Sequence, residues 1–351
     1  MNLATVDKIA KAVLYEGYML YPYRPSSVKN QQRWNFGVLC PQSYSDAQNG
    51  SEAWTMQTEC LVEGSSLTRI EVHVRFLQLV ARSVGELTRE LTEPVHDLPP
   101  GEAPEFRPAD KLTVNGRVYQ PWQEALDRQL ALPFYNLEAL SHTPASDAFC
   151  FPAETHFEYL PDSHQIAGVI VRKRKTVCGV VEVASEHIED GIFKISVLIR
   201  NTTPFDCAKT ASRDEALLSS MVSAHTVLGV RDGRFVSSTA PPEEMSGLVE
   251  SCKNVGTWPV LVGEEGERDT ILSSPIILSD YPQIAPESAG DLFDGTEIDE
   301  ILSLRIMTLT DDEKREMSQS DERARQMLER TETMPVEQFM KLHGVLRGLR
   351  P

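Results

Sequence analysis

The residues of this chain equipped for acid-base or metal chemistry are few and scattered. His156 and Glu158 stand two apart in FCFPAETHFEYL, so on an extended segment both side chains share one face. With His164 and His187 they form the constellation a zinc-type site could draw on, because such a site needs three protein donors and, for catalysis, an open position. The other histidines come from separate predicted strands, so structural or surface roles are the simpler reading. A second group, Arg268 and Asp269, lies among Glu264, Glu265 and Glu267. Carboxylates at alternate positions can converge on a hard cation, but the spacing matches no calcium loop, and a solvated hairpin tip accounts for it. Ser219, Ser220 and His225 are neighbours in sequence without the oriented base and oxyanion site of a nucleophilic triad. No Gly-rich phosphate loop, H-E-x-x-H or G-x-S-x-G occurs. The catalytic candidates are therefore His156, Glu158, His187, Arg268 and Asp269. They leave enzymatic activity an open question, and no cofactor is expected.

Six cysteines, at 40, 60, 150, 178, 207 and 252, stand singly and form no C-x-x-C. Their dispersion in a chain this long fits a reducing compartment and buried or incidental thiols, with Cys40 and Cys60 the pair a metal or ligand carrier would use. The 351 residues carry a formal net charge of -18, which disfavours nucleic acid or an anionic membrane as partner and leaves a basic protein surface open. No uncharged apolar span is long enough to cross a membrane, and the opening MNLATVDKIAKAVLYEGYML does not read as a secretory leader. A cytoplasmic location is expected.

Protein contacts are the chemistry best represented. In YEGYMLYPYRPSSVKNQQRWNFGVLCP, tyrosines 15, 18, 21 and 23 precede Arg24, Lys29, Arg33, Trp34 and Phe36. Such an interleave is either a packed segment or an interaction surface, for which Tyr23, Arg24, Trp34 and Phe36 are the anchors. Around Ser279 to Ser288, Pro282 and Pro286 forbid regular structure, and an irregular loop this apolar lies against something, through Tyr281 and Ile284. The last predicted helix, from Met334 to Leu349, has Phe339 and Leu342 on its apolar side and suits either its own domain or a partner's groove. Self-association is a further option.

The elements that must position these residues read as α+β: a β-rich antiparallel core, sandwich-like or a curved sheet, with peripheral helices and a helical C-terminal region. Val6 to Leu14 repeats at helical spacing. Asn49-Gly50 suits a hairpin. Met56 to Val62 alternates, and so does Arg69 to Phe76, which puts Ile70, Val72, Val74 and Phe76 on the buried face and His73 with Glu71 and Arg75 opposite. From Leu77 to Leu91 the period becomes helical. Five prolines across 94–110 predict a linker or wrapping loop between a mixed 1–93 region and a β-rich 111–306 region. Within the latter, Asn115-Gly116, Asp190-Gly191 and Asp232-Gly233 mark hairpins, and Trp122 to Leu130 suits a short helix. Strands are predicted at 149–160, 166–171, 177–184, 192–200, 258–262 and 271–278. The basic run Arg172 to Lys175 should cap a hairpin or meet the protein's own acidic groups. EEMSGLVESCK reads as a helix with Met245, Leu248, Val249 and Cys252 inward. Gly295-Thr296-Glu297 opens another with Ile298, Ile301, Leu302 and Arg305 on one side. Thr310 to Glu313 is a capping box at the start of the charged region 307–351.

As running text, YEGYMLYPYRPSSVKNQQRWNFGVLCP and NVGTWPVLVGEEGERDTILSSPIILSDYPQIAPESAGDLFDGTEIDEILSLRIMTLTDDEK resemble an uncharacterised bacterial family encoded with the high-affinity, oxygen-tolerant uptake NiFe-hydrogenases. The resemblance covers most of the chain. It implies an accessory, assembly or scaffolding role with a hydrogenase subunit or maturation factor as partner, and not hydrogenase catalysis, because the paired C-x-x-C motifs that hold nickel and iron are missing. An enzyme built from the dispersed polar groups, or a ligand or metal carrier, are the alternatives.

Overall fold

A single strand organises the molecule. In the computed structural model, β1 runs from Thr55 to Leu87, 33 residues, as the spine of a 12-stranded, open antiparallel sheet. The structure describes residues 3–25, 35–93, 102–162, 165–283, 299–320 and 322–335, and singly 27, 30, 98, 337, 339 and 342. One edge of β1 carries in turn β11 (Ile192–Asn201), β6 (Tyr135–Asn136), β5 (Trp122–Ala131) and β2 (Phe106–Ala109). The other carries β12 (Val222–Phe235) and then β9 (Gln165–Arg174). Beyond β11 lie β10 (Val177–Glu189) and β7 (Ala145–Phe151), beyond β12 lie β14 (Thr270–Ser274) and β13 (Trp258–Leu261), and β8 (Glu154–Asp162) pairs with β9. A separate hairpin, β3 (Leu112–Val114) with β4 (Arg117–Tyr119), turns at Asn115-Gly116 as the sequence predicts.

The helix expected from Leu77 is strand, and so is the one expected at Trp122. Around Leu77 the strand is buried on two faces, so apolar residues fall on both parities and mimic a helical period, whereas in β5 only Trp122 and Ala125 are buried. Backbone pairing decides the matter: Val80 to Arg82 bond β5 on one edge and β9 on the other. Asp232-Gly233 likewise does not reverse the chain. It sits in a bulge, where residues 65–68 of β1 face Asp232 alone, and the Thr68 hydroxyl donates to the Asp232 carbonyl at 2.6 Å. Asn49-Gly50 ends a short helix, α2 (Gln42–Ala47), instead of making a hairpin; both have positive φ, and the Gly50 N–H bonds the Ser45 carbonyl at 2.9 Å. Part of the proline-rich stretch joins the sheet as β2, with Pro108 opposite Gly85.

Ile70, Val72, Val74 and Phe76 are fully buried, as their alternation requires, against Val181, Val183, Ile195 and Val197 of β10 and β11. Phe76 meets the rings of Phe149 and Phe151 on β7 at about 6 Å between centroids, so the sheet curls until distant strands face each other. The opposite face of β1 is covered by α1 (Leu3–Tyr15), whose Val6, Ile9, Ala10 and Val13 pack on Val227, Val260 and Leu272. Leu77 and Leu79 join Tyr15, Tyr18, Tyr23 and the carboxy-terminal helices in a further core. Arg75 is buried beneath α1, donating to Asp7 and Asp127 at 3.0 Å each.

Of the shorter helices, α3 (Leu137–His142) covers β10, and α4 (Arg213–Leu217) begins at a Ser212/Glu215 capping box. EEMSGLVESCK forms only a one-turn 3₁₀ segment and α5 (Ser246–Glu250), neither with a fully buried residue. In α6 (Asp299–Met307), Leu302 and Ile306 point inward, whereas Ile301 and Arg305, expected beside Leu302, lie outside. The Thr310 capping box forms as predicted at α7 (Asp311–Ser320), with the Glu313 N–H on the Thr310 hydroxyl and the Thr310 N–H on the Glu313 carboxylate. A further helix, α8 (Glu322–Glu332), packs back on α7, and most of the helix expected from Met334 to Leu349 lies outside the described residues. Among the described residues no helix is long and apolar enough to cross a membrane.

Candidate partner-binding site

The polar residues singled out from the sequence fall in different places. His156 and Glu158 lie on β8, opposite Arg172 and Ile170. They border a ladder of charge in which Glu124 accepts from Arg82 at 3.1 Å and from Arg172 at 2.8 Å, Arg172 also donates to Glu158 at 2.6 Å, and Arg174 donates to Glu154. Burial works against the charge on Arg172, but Glu158 and Glu124 outweigh it and raise its pKa. The two arginines of the basic run therefore spend their charge on the protein's own carboxylates around a hollow of about 200 Å³.

Arg268 and Asp269 belong to the other end of β1. Arg268 donates to Glu63 at 2.9 Å, and the Arg268 and Asp269 carbonyls accept from Phe235 and Val230, which pins the β13–β14 loop to β12. Glu63 and Arg82 are nineteen positions apart on β1, on the order of 60 Å of strand. His187 stands opposite Phe193 on β10 with its ring edge-on to that phenyl group at 4.9 Å. His164 lies outside the described residues. Among those described, no group of three or more His, Cys, Asp or Glu is placed to hold a metal ion.

The sequence could not show which cysteines meet. Cys150 and Cys178 occupy facing positions on β7 and β10 and are joined in a disulfide, against the expectation of single thiols throughout. Cys40 and Cys60 are buried apart from each other; burial pushes the Cys40 thiol up to about 11 and raises Cys60 as well, so both stay protonated at neutral pH. Ser220 donates to the Ala216 carbonyl and His225 bonds the Ser223 carbonyl, so no triad assembles.

The interaction candidates divide in the same way. Tyr23 is wholly buried, and Arg24 reaches Glu313 at 3.1 Å, tying the amino-terminal segment to α7. Tyr281 serves the chain's own architecture: its N–H bonds the Leu261 carbonyl at 2.7 Å and its hydroxyl the Glu267 carbonyl at 2.9 Å, which covers the outer edge of β13. Leu342 is buried and Phe339 half-buried. Phe36 is exposed at 37%. Trp34 and Ile284 lie outside the described residues.

Two surface features were not legible in the sequence. Opposite its buried stripe, α6 presents Ile301, Leu304 and Met307 at 37%, 42% and 48% exposure. A cleft of about 470 Å³ opens where the amino-terminal segment meets β1, β5 and α4. Its described lining includes Trp122, Leu217 and Arg82, which are buried, Asn35, which is half-buried, and the exposed Asp214 and Glu215. Hydrogen bonds from the Ser212 backbone and hydroxyl hold the Glu215 carboxyl below the usual range. The S-x-x-E capping box at 212–215 was the signal that could have placed these carboxylates at a helix start.

No protein-family model matches the chain, and no curated protein matches it either.

Proposed function

We propose that this protein is an accessory or assembly factor that works by docking another protein. The carrying observation is α6, which is apolar on both sides. Leu302 and Ile306 satisfy the core, yet Ile301, Leu304 and Met307 stay 37–48% exposed, one turn apart on the outer side. A contiguous apolar row is the kind of surface that association removes from water. The helix that follows, α7, opens with Asp311, Asp312 and Glu313, and the whole chain carries a formal net charge of -18. The fitting occupant is a protein surface with an apolar centre and basic rim, since complementary potentials favour encounter and register. The sequence resemblance to a hydrogenase-linked family names the class of partner, a NiFe-hydrogenase subunit or maturation factor, and a cytoplasmic setting belongs to the same reading.

The test compares the tagged wild type with the double variant Leu304→Asp/Met307→Asp in the native host, using quantitative mass spectrometry of what co-purifies. Both side chains are exposed, so circular dichroism should confirm that the variant folds. Recovery of a hydrogenase subunit or maturation protein with the wild type and its loss with the variant is the expected result. Equal recovery from both, or no specific partner, overturns the proposal.

A further inference from the structure

The disulfide between Cys150 and Cys178 lies where an outside thiol can reach it. β7 pairs with β10 from Phe151 opposite Val177 to Ala145 opposite Val183, and it is the last strand at that end of the sheet. Alternation turns Phe149 and Phe151 inward onto Phe76 and leaves Cys150, between them, on the outer face. Cys150 is exposed and Cys178 half-buried. The Cys178 N–H donates to the Thr203 hydroxyl at 2.9 Å and its carbonyl accepts from the Thr202 N–H at 3.1 Å, both away from β7. Cys150 and Cys178 are therefore a non-hydrogen-bonded pair, the kind whose facing side chains come closest. The sheet does not depend on the bond: the backbone ladder and the two inward phenyl rings hold β7 on β10. Reduced, the two sulfurs would still face each other. Of the remaining thiols, Cys40 and Cys60 are buried and protonated, and Cys207 is exposed and free.

We infer that Cys150 and Cys178 are a reversible redox pair, exchanged by a low-molecular-weight thiol of the glutathione type. The incoming thiolate attacks Cys150 Sγ, the exposed sulfur, because exchange rates follow access as well as thiolate character. The Sγ–Sγ bond breaks, and its electron pair goes to Cys178 Sγ, which takes up a proton. A second thiolate then attacks the sulfur that was added. It releases the small-molecule disulfide and leaves Cys150 as a thiolate, which takes up a proton in turn. Two small thiols are oxidised to one disulfide while the protein disulfide is reduced to two thiols. The same steps in reverse, with the small-molecule disulfide as oxidant, close the bond again. Exposed disulfides are the labile ones, whereas buried structural ones resist this exchange. The inference is independent of the α6 surface and of any docked partner.

The folded full chain is equilibrated without denaturant in glutathione buffers that run from mostly oxidised to mostly reduced. Samples are quenched in acid, unfolded and alkylated with N-ethylmaleimide, and the labels are located by peptide mass spectrometry, which separates Cys207 from the pair. Cys150 and Cys178 should gain label together as the buffer becomes reducing and lose it together when oxidised glutathione is restored, with the far-ultraviolet circular dichroism unchanged. Single variants then identify the attacked sulfur. Cys178→Ser should accumulate a glutathione adduct on Cys150, and Cys150→Ser about tenfold less on Cys178. No labelling of the pair in the most reducing buffer, labelling only with loss of the fold, or failure to close the bond again overturns the inference. Equal adducts on the two single variants overturn the attack at Cys150.

Discussion

Mild acid should destabilise this protein through His225 before most carboxylates titrate. The side chain is completely buried on β12, opposite Arg75, with Nδ1–H donating to the Ser223 carbonyl at 2.9 Å and Nε2 without a hydrogen-bond partner among the described residues. Burial is the main force that lowers its pKa from 6.5 to about 4. Arg75 lowers it further, while the Ser223 carbonyl and Asp127 pull the other way. Because the folded value is depressed, the unfolded chain binds a proton that the folded chain refuses. Stability is thus complete above pH 6.5, falls as the pH drops toward 4, and levels off below. At 1.36 kcal/mol per pH unit the whole effect is about 3 kcal/mol, of which about 2 kcal/mol appears between pH 7 and 5. The perturbation is His225→Asn, whose amide can still donate to Ser223 but does not titrate. Urea unfolding of both proteins at pH 7, 6 and 5 isolates the effect, because Asp7, Asp127 and Arg75 are common to both. The stability difference between wild type and variant should move by about 2 kcal/mol in the variant's favour from pH 7 to 5. A difference constant to within about 0.5 kcal/mol would refute the assignment of a neutral, desolvated imidazole.

The two faces of α6 should respond differently to truncation: Leu302→Ala costs about 3 kcal/mol because its site is closed on all sides, whereas Ile301→Ala stays within about 0.5 kcal/mol. Equal costs in chemical denaturation would mean that the helix docks by the other stripe. Burial raises the Glu63 pKa, but Arg234 and Arg268 more than reverse it and hold the carboxyl below its usual range. Glu63→Gln should therefore cost stability above pH 4.5, about 1 kcal/mol after allowance for the exposure of Arg234, and the cost should fade as the pH falls through the depressed folded value. A cost that is the same at pH 7 and 3.5 contradicts the ion-pair account.

Much of the sheet was legible because its signals are local. Met56 to Val62, Arg69 to Phe76 and Ile192 to Arg200 alternate with period two, and each has its apolar set inside. Asn115, Gly116 and Gly191 supply the positive φ that a tight reversal needs, and both dipeptides turn the chain. The same dipeptide chemistry at Asp232-Gly233 was absorbed into a bulge, because positive φ is equally what a bulge requires. The candidate site was much less legible. Spacing grouped His156 with Glu158, but could not know that Arg172, fourteen positions along the chain, would occupy Glu158 from the next strand.

Local signals were enough for the α+β class, the hairpins at Asn115-Gly116 and Asp190-Gly191, the Thr310 cap and a net negative charge, since each depends on residues within a few positions of one another or on composition. Tertiary structure alone decided that β1 continues through Leu87, that Cys150 faces Cys178, that Tyr23 is core while Leu304 is surface, and that Asp214 and Asn35 share a cleft with Trp122. The physical reason is the range of the determining interaction. Propensity and periodicity act along a turn or a strand, whereas burial on two faces and a shared cavity arise only after strands distant in the chain have chosen their neighbours.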